Sequence, residues 1–163
     1  MAVKIILEGL SLGGLMIAAC AWGIRNGAVN MVFLYHQDVQ DRCVENKLIT
    51  REQIRKNAKI MKIFFFIMYF AALWICVDVI NKAEGFFPRF WQTFAILSIV
   101  NLIDRFLIDE YWVGHTDAWL IPGTEDMRPY INEKDKKLKW LAGTVGYAIC
   151  AALLAGIMTL VLK

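Results

Sequence analysis

Four apolar blocks, each about long enough to cross a bilayer, constrain this chain more than any other feature. They lie at about residues 5–24, 60–80, 87–107 and 140–162. A membrane-spanning helix needs roughly 20 mostly apolar residues to cross roughly 30 Å of hydrocarbon. The sequence therefore predicts an all-α membrane protein with a single domain, a four-helix transmembrane bundle.

Composition supports this prediction, because 58% of the 163 residues are hydrophobic, with a mean hydropathy of +0.48, whereas soluble domains have roughly 45–50% apolar residues. The third block is the weakest, since Arg89 and Asp104 leave a short charge-free core; both can lie at the membrane interfaces. The first block carries Glu8 early and lacks a clear cleavage site, so we expect a retained span rather than a signal peptide. We expect its helix to continue to about Tyr35.

The placement of basic residues predicts the topology. Lys and Arg are concentrated in two long loops, at about 34–59 and 108–139, whereas the connection between the second and third blocks has only Lys82 and Arg89. By the positive-inside rule, both long loops are cytoplasmic and both termini are outside the cell membrane. The basic clusters flank helix ends, so membrane lipid rather than nucleic acid is the expected partner.

Local patterns predict ordered structure in the first loop. Thr50 and Gln53 fit a capping box, from which a helix would run directly into the second span. Residues 35–45 fit a short amphipathic helix with Val39 and Cys43 on one face.

Small residues spaced four apart occur in the first and fourth spans. The first contains Gly9 and Gly13, and the fourth contains Ala152 and Gly156. Such spacing lets helix backbones approach closely in lipid. The first and fourth spans are therefore expected to pack against each other or across a homo-oligomer interface.

Histidines and carboxylates occur in both long loops, which share one membrane face and can meet. The residues of this predicted polar cluster are His36, Asp38, Asp41 and Glu45 in the first loop and Asp104, Asp109, Glu110, His115 and Asp117 in the second. Imidazole and carboxylate groups are ligands of zinc, manganese and iron. No spacing typical of a metal site occurs, so a divalent metal is the minor alternative to a solvated, salt-bridged surface, and the cofactor is left open.

Asn101, Asp104 and Arg105 share one face at the inner end of the third span. A carboxylate near hydrocarbon is costly unless it is paired. We expect a structural ion pair with basic residues of the first loop, and a functional patch is the alternative.

The second loop supplies the candidate catalytic residues. His115 is suited to proton transfer near neutral pH, and Asp117 follows it closely, before a predicted type II turn at Pro122-Gly123. The candidate catalytic residues are therefore His115, Asp117 and Asp104. The candidate binding residues are His36, Asp38, Asp41, Asn101, Arg105, Asp109, Glu110, Trp112 and Trp119. The alternative is a packed interfacial loop anchored by its tryptophans.

Three segments carry a resemblance to a known family. They read HQDVQDRCVENKLITREQIRKN, DRFLIDEYWVGHTDAW and IPGTEDMRPYI. They resemble a family of small bacterial integral membrane proteins with four spans and no assigned function, some labelled ABC transporter permease. The resemblance implies the four-span plan and no catalytic residues. Four spans are few for a permease, and no segment for docking an ATPase is recognisable.

A second likeness concerns architecture alone. The length and the four-span plan are similar to those of the trimeric membrane enzymes of eicosanoid and glutathione metabolism. Their signature of arginine and asparagine is not matched in this chain, so no activity follows from it.

Titratable and aromatic residues at one interface predict a protein that binds or modifies a small amphiphilic or lipid-like molecule at the cytoplasmic face. Its head would lie against the loop carboxylates and histidines, and its tail between the second and third spans. Whether the protein is an enzyme is left open. The alternatives are a non-catalytic subunit or assembly partner of a larger membrane complex, and a small transporter component. The lack of a carboxylate at mid-depth argues against ion-coupled transport.

Overall fold

A computed structural model of the chain describes residues 1–131 and 133–162, and every regular element within them is helical. The five α-helices are α1 (Ala2–Ile24), α2 (Gln37–Glu45), α3 (Arg51–Trp74), α4 (Phe86–Ile103) and α5 (Glu133–Val161). Two of them continue as π-helices, α3 over Ile75–Ile80 and α4 over Asp104–Val113. Short 3₁₀-helices lie at Ala28–Leu34, Asp117–Trp119 and Glu125–Met127. The predicted all-α class is confirmed.

Four helical segments are long and apolar enough to cross a membrane. They are Ala2–Ile24, Arg51–Ile80, Phe86–Val113 and Lys134–Val161. Each predicted block overlaps one of them. The second begins at Arg51 because Thr50 caps it: its hydroxyl accepts the amide of Gln53 at 3.2 Å, and the Gln53 side chain accepts the amide of Thr50 at 2.9 Å. The predicted capping box is therefore confirmed.

The first loop differs from the prediction in one respect. The helix of the first span does not continue to Tyr35, because α1 ends at Ile24 and Gly27 adopts a φ of 109°, which an L side chain rarely adopts. The predicted amphipathic helix is confirmed as α2, whose Val39 and Cys43 are 2% and 0% exposed.

Helix α4 is the central helix of the bundle, because α1 and α5 both pack against it. Gly9 of α1 faces Ile99 of α4 so closely that an added Cβ would lie 2.7 Å from the Cβ of Ile99. Gly143 of α5 faces Asn101 of α4, whereas a Cβ added at Gly156 would meet nothing within 4 Å. The small residues of the first span therefore serve its contact with the third span, and the expected close pair of first and fourth spans does not form in the described monomer.

Polar contacts tie the helices together at the end that carries the chain termini. Arg89, which is 5% exposed, donates to Asp78 at 3.1 Å and to Thr159 at 3.4 Å. Asn81 donates to the carboxylate of Glu8 at 2.9 Å. These contacts fix where α4 begins relative to α1, α3 and α5.

At the opposite end, the segments 25–50 and 114–131 meet and form what we call the loop face. The hydroxyl of Tyr35 donates to the carbonyl of Trp119 at 2.9 Å, and its ring stacks on Tyr130 at 4.6 Å. Burial raises the pKa of Tyr35, so its hydroxyl stays protonated and able to donate. Arg42 adds an ion pair with Asp126 at 3.3 Å. The two loops thus share one face, as expected.

The second loop is ordered by its predicted turn. Gly123 has a φ of 84°, and the amide of Thr124 donates to the carbonyl of Ile121 at 3.1 Å, as a type II turn requires. The Thr124 hydroxyl lies 2.6 Å from the hydroxyl of Tyr130. These bonds hold the loop against the stacked tyrosines.

Candidate functional site

Two adjoining cavities lie towards the loop face, and the larger of them lies between α3 and α5, with residues of α1 and α4 behind it. Its volume is about 780 Å³, within the range of about 300–1,000 Å³ found for small-molecule sites. Most of its wall is apolar; the wall includes Phe65, Phe66, Phe70 and Leu73 of α3 and Leu153, Leu154 and Ile157 of α5. Its size and lining suit a small molecule with a long apolar part.

This cavity opens sideways between two helices. Phe66 of α3 and Leu153 of α5 both line it, yet they are 71% and 63% exposed. Over the described residues, α3 and α5 do not form a packed helix pair. A ligand can therefore reach the cavity laterally, without passing through the loop face.

Charged residues line the loop-face end of the cavity, and we call Asp104, Arg105, Asp109 and Lys139 the charged cluster. The guanidinium of Arg105 donates to Asp104 and to Asp109. Lys139 of α5 donates to both carboxylate oxygens of Asp109 at 3.2 Å. The side chains of Arg105 and Asp109 are only 13% and 11% exposed, so this network is shielded from solvent and is worth more than a surface ion pair.

Three hydrogen-bonding groups of cavity residues have no partner among the described residues. They are the Nε of Arg105, the hydroxyl of Tyr69 and the Nε1 of Trp119, and all three atoms are buried. Buried polar atoms in proteins are normally hydrogen-bonded. No described residue satisfies the hydrogen-bonding capacity of these groups.

The π-helical end of α4 explains how the charged cluster is assembled. The sequence predicts that the third span ends at about residue 107, but the helix continues to Val113 and keeps Asp109 on the same element as Arg105. The expected ion pair between Asp104-Arg105 and basic residues of the first loop is wrong: the partners are Asp109 and, from α5, Lys139. π-Helical turns are rare and occur frequently at functional sites.

A second cavity of about 330 Å³ adjoins the first at Asp109, Val113 and Ile131, which line both. His115 lines this smaller cavity, and its Nδ1 lies 2.8 Å from the carbonyl of Glu110. The imidazole is therefore held close to the charged cluster without belonging to it.

The three candidate catalytic residues are not brought together in one site. Asp104 lines the larger cavity and His115 the smaller one. Asp117 lines neither, is 82% exposed and pairs with Arg128 at 2.9 Å. The structure therefore contains no single site in which these three residues could act together.

The predicted polar cluster between the two loops is also wrong. His36 lies 2.5 Å from Asp135 of α5, Asp38 accepts a backbone amide of its own helix, and Asp41 pairs with Arg51 at 2.6 Å. The loops meet through Tyr35 and through two separate pairs, His36 with Asp135 and Arg42 with Asp126, so the predicted carboxylates and histidines do not gather in one cluster. No group of His, Cys, Asp or Glu among the described residues could hold a metal ion, so no ligand set is assigned to the divalent-metal alternative.

The remaining candidate binding residues pair or pack with other side chains, except that the side-chain oxygen of Asn101 is buried without a hydrogen-bond partner among the described residues. Glu110 pairs with Lys136 at 2.6 Å. The rings of Trp112 and Trp119 pack edge to face at 5.4 Å, and Trp119, which is 1% exposed, lines the larger cavity. Asn101 is 4% exposed and lies against α5, outside the lining of both cavities.

Among the cavity residues that were missed from the sequence are Lys62, Tyr69 and Lys139. One signal could have indicated Lys139, which is the last charge before the uncharged stretch of the fourth span. Lys62 carries the same signal, since residues 63–77 of the second span are uncharged. Tyr69 carries none, because the face that a span turns inward is set by its packing partners.

Asp41 gives a prediction for the pH dependence of stability. The side chain of Gln37, together with Arg51, holds the pKa of Asp41 below its usual range. A lowered folded-state pKa stabilises the protein above the unfolded value, and this contribution is lost as the pH falls through the folded value. We expect the Tm, followed by circular dichroism, to fall less in acid for Asp41→Asn than for the parent. Parallel pH profiles for the two proteins would contradict this.

Comparison with known proteins adds no relative. No family model, curated protein or solved structure matches the chain. The function is therefore argued from the two cavities and the charged cluster.

Proposed function

We propose that this protein is an integral membrane protein that binds one small amphiphilic, lipid-like molecule in the larger cavity. The apolar part lies between α3 and α5, and the polar part lies against the charged cluster. One observation carries the proposal: the cavity is apolar along its helical walls, charged at one end, and open sideways between two helices.

Placement in a bilayer is supported by the outer surface of the four long helices. Large apolar side chains on different helices are mostly exposed, among them Phe87 at 70%, Ile67 at 61% and Leu160 at 73%. Soluble monomers rarely expose contiguous apolar surface of this kind. With the basic loops on the cytoplasmic side and the termini outside, the opening between α3 and α5 faces lipid, from which an amphiphile can enter.

The proposed pose differs from the sequence-based expectation in two ways. The tail lies between the second and fourth spans instead of the second and third. The head lies at Arg105 and Lys139 rather than at the loop histidines, because those basic groups line the cavity whereas His36 is paired with Asp135.

The proposal is tested by filling the cavity. Cys150 lines the cavity and is exposed, whereas the neighbouring Ile149 is 56% exposed and lies outside the lining. We expect native mass spectrometry, after extraction in mild detergent, to show one bound amphiphile per chain in the parent. Cys150→Trp should lose it because the indole occupies the same space, and Ile149→Trp should retain it.

Two outcomes would overturn the proposal: a parent protein without any bound amphiphile, or equal occupancy in Cys150→Trp and in the parent. A stoichiometric partner protein recovered in place of an amphiphile would favour the alternative of a subunit of a larger complex.

A further inference from the structure

One face of α3 changes along its length from basic to apolar. Arg55, Lys59, Lys62, Phe66 and Tyr69 are spaced alternately four and three residues apart, so they lie along one side of the helix. The last three of them line the larger cavity. The face formed by the first three, which we call the basic stripe, therefore leads from the loop face directly into the cavity.

The charges at the loop-face end of the cavity do not cancel. Asp104 and Asp109 are neutralised by Arg105 and Lys139. Lys62 is a further positive charge in the lining, and it has no ion pair among the described residues. This end of the cavity therefore carries one net positive charge.

The unpartnered polar groups also favour an anionic ligand. The Nε of Arg105 can only donate a hydrogen bond, and the hydroxyl of Tyr69 can donate one. Donors that meet an ionised acceptor form shorter and stronger hydrogen bonds than those that meet a neutral one. An anionic head would neutralise the unpaired charge of Lys62.

We propose that the amphiphile carries an anionic head, a carboxylate or a phosphate, on a single apolar chain, and that Lys62 binds this head. This inference rests on the proposed function. The basic stripe serves as the approach, because Lys and Arg next to a membrane surface attract anionic headgroups. The cavity volume of about 780 Å³ is in the range for one ligand of drug size.

The test compares three probes with the same acyl chain: palmitate, palmitoyl lysophosphatidic acid and uncharged monopalmitoylglycerol. Each is titrated into the delipidated full-length protein in a neutral detergent, and the bound fraction is read by native mass spectrometry. We expect the anionic probes to bind roughly tenfold more tightly than the uncharged one, as one charge-assisted hydrogen bond would give. A preference for palmitate indicates a carboxylate head, and one for the lysophosphatidate indicates a phosphate head.

Two matched variants test whether Lys62 causes the preference for anionic probes. Lys62→Gln should reduce the affinity for the anionic probes roughly tenfold and leave the uncharged probe unchanged. Lys56→Gln removes a charge of the same helix that is also exposed but lies outside the cavity lining, and it should change the affinity for neither kind of probe. Both sites are exposed, so the fold tolerates both changes.

Each of the other outcomes contradicts one part of the proposal. Equal binding of charged and uncharged probes overturns the anionic head and leaves the proposed function standing. An anionic preference that Lys62→Gln retains in full overturns the role of Lys62. Failure of all three probes to bind overturns the proposed function together with this inference.

Discussion

Arg105→Met should destabilise the protein by about 3–5 kcal/mol, the cost of removing one partner from a buried ion pair. The methionine is similar in length but leaves Asp104 and Asp109, which are 20% and 11% exposed, with Lys139 as their only cation in the charged cluster. Because this lysine pairs with Asp109, the carboxylate of Asp104 would lose its ion-pair partner. Unfolding by denaturant in mixed micelles would measure the loss.

A charge-neutral combination provides the control for this prediction. Adding Asp104→Asn to Arg105→Met removes one charge of each sign and leaves the pair of Asp109 and Lys139 in place. We expect most of the lost stability to return, as when a buried ion pair is replaced as a whole. Exposed ion pairs contribute at most about 1 kcal/mol. If Arg105→Met alone lowers the free energy of unfolding by no more than this, the cluster is not shielded.

Gly9→Ala is expected to loosen the contact between α1 and α4. The added Cβ would lie 2.7 Å from the Cβ of Ile99, an atom that cannot move without its backbone. Overpacking of this kind typically costs about 1–3 kcal/mol. A lower Tm in detergent, followed by circular dichroism, would report this loss.

Gly14 of the same helix offers the matched comparison. A Cβ added there would meet nothing within 4 Å, so Gly14→Ala should leave the Tm unchanged or raise it, because alanine is the better helix former by roughly 1 kcal/mol. Equal effects of the two substitutions would show that α1 does not pack on α4 through Gly9.

Local elements of the fold could be predicted from the sequence because their causes are local. The capping box at Thr50 and the amphipathic helix around Val39 and Cys43 depend on residues a few positions apart, and both are confirmed. The turn at Gly123 depends on the conformational freedom of a single residue.

The pairing of helices and the site that it creates could not be predicted in the same way. Spans that are apolar on every side give little indication of which face turns inward. The small-residue motif at Gly9 therefore identified a close contact without its partner, Ile99. Lys139 joins Asp109 across two helices, a contact that the spacing along the chain does not encode.

The central position of α4 has a consequence for how the chain is made. Its buried arginines, Arg89 and Arg105, are 16 positions apart, which corresponds to roughly 24 Å of helix and is less than the roughly 30 Å of a hydrocarbon core. Among the four segments it is the least apolar and the most enclosed by its neighbours. On the proposed placement in a bilayer, α4 should therefore leave the translocation machinery only once α5 has emerged beside it. Ribosomes stalled before α5 should then yield chains in which α4 remains extractable from the membrane.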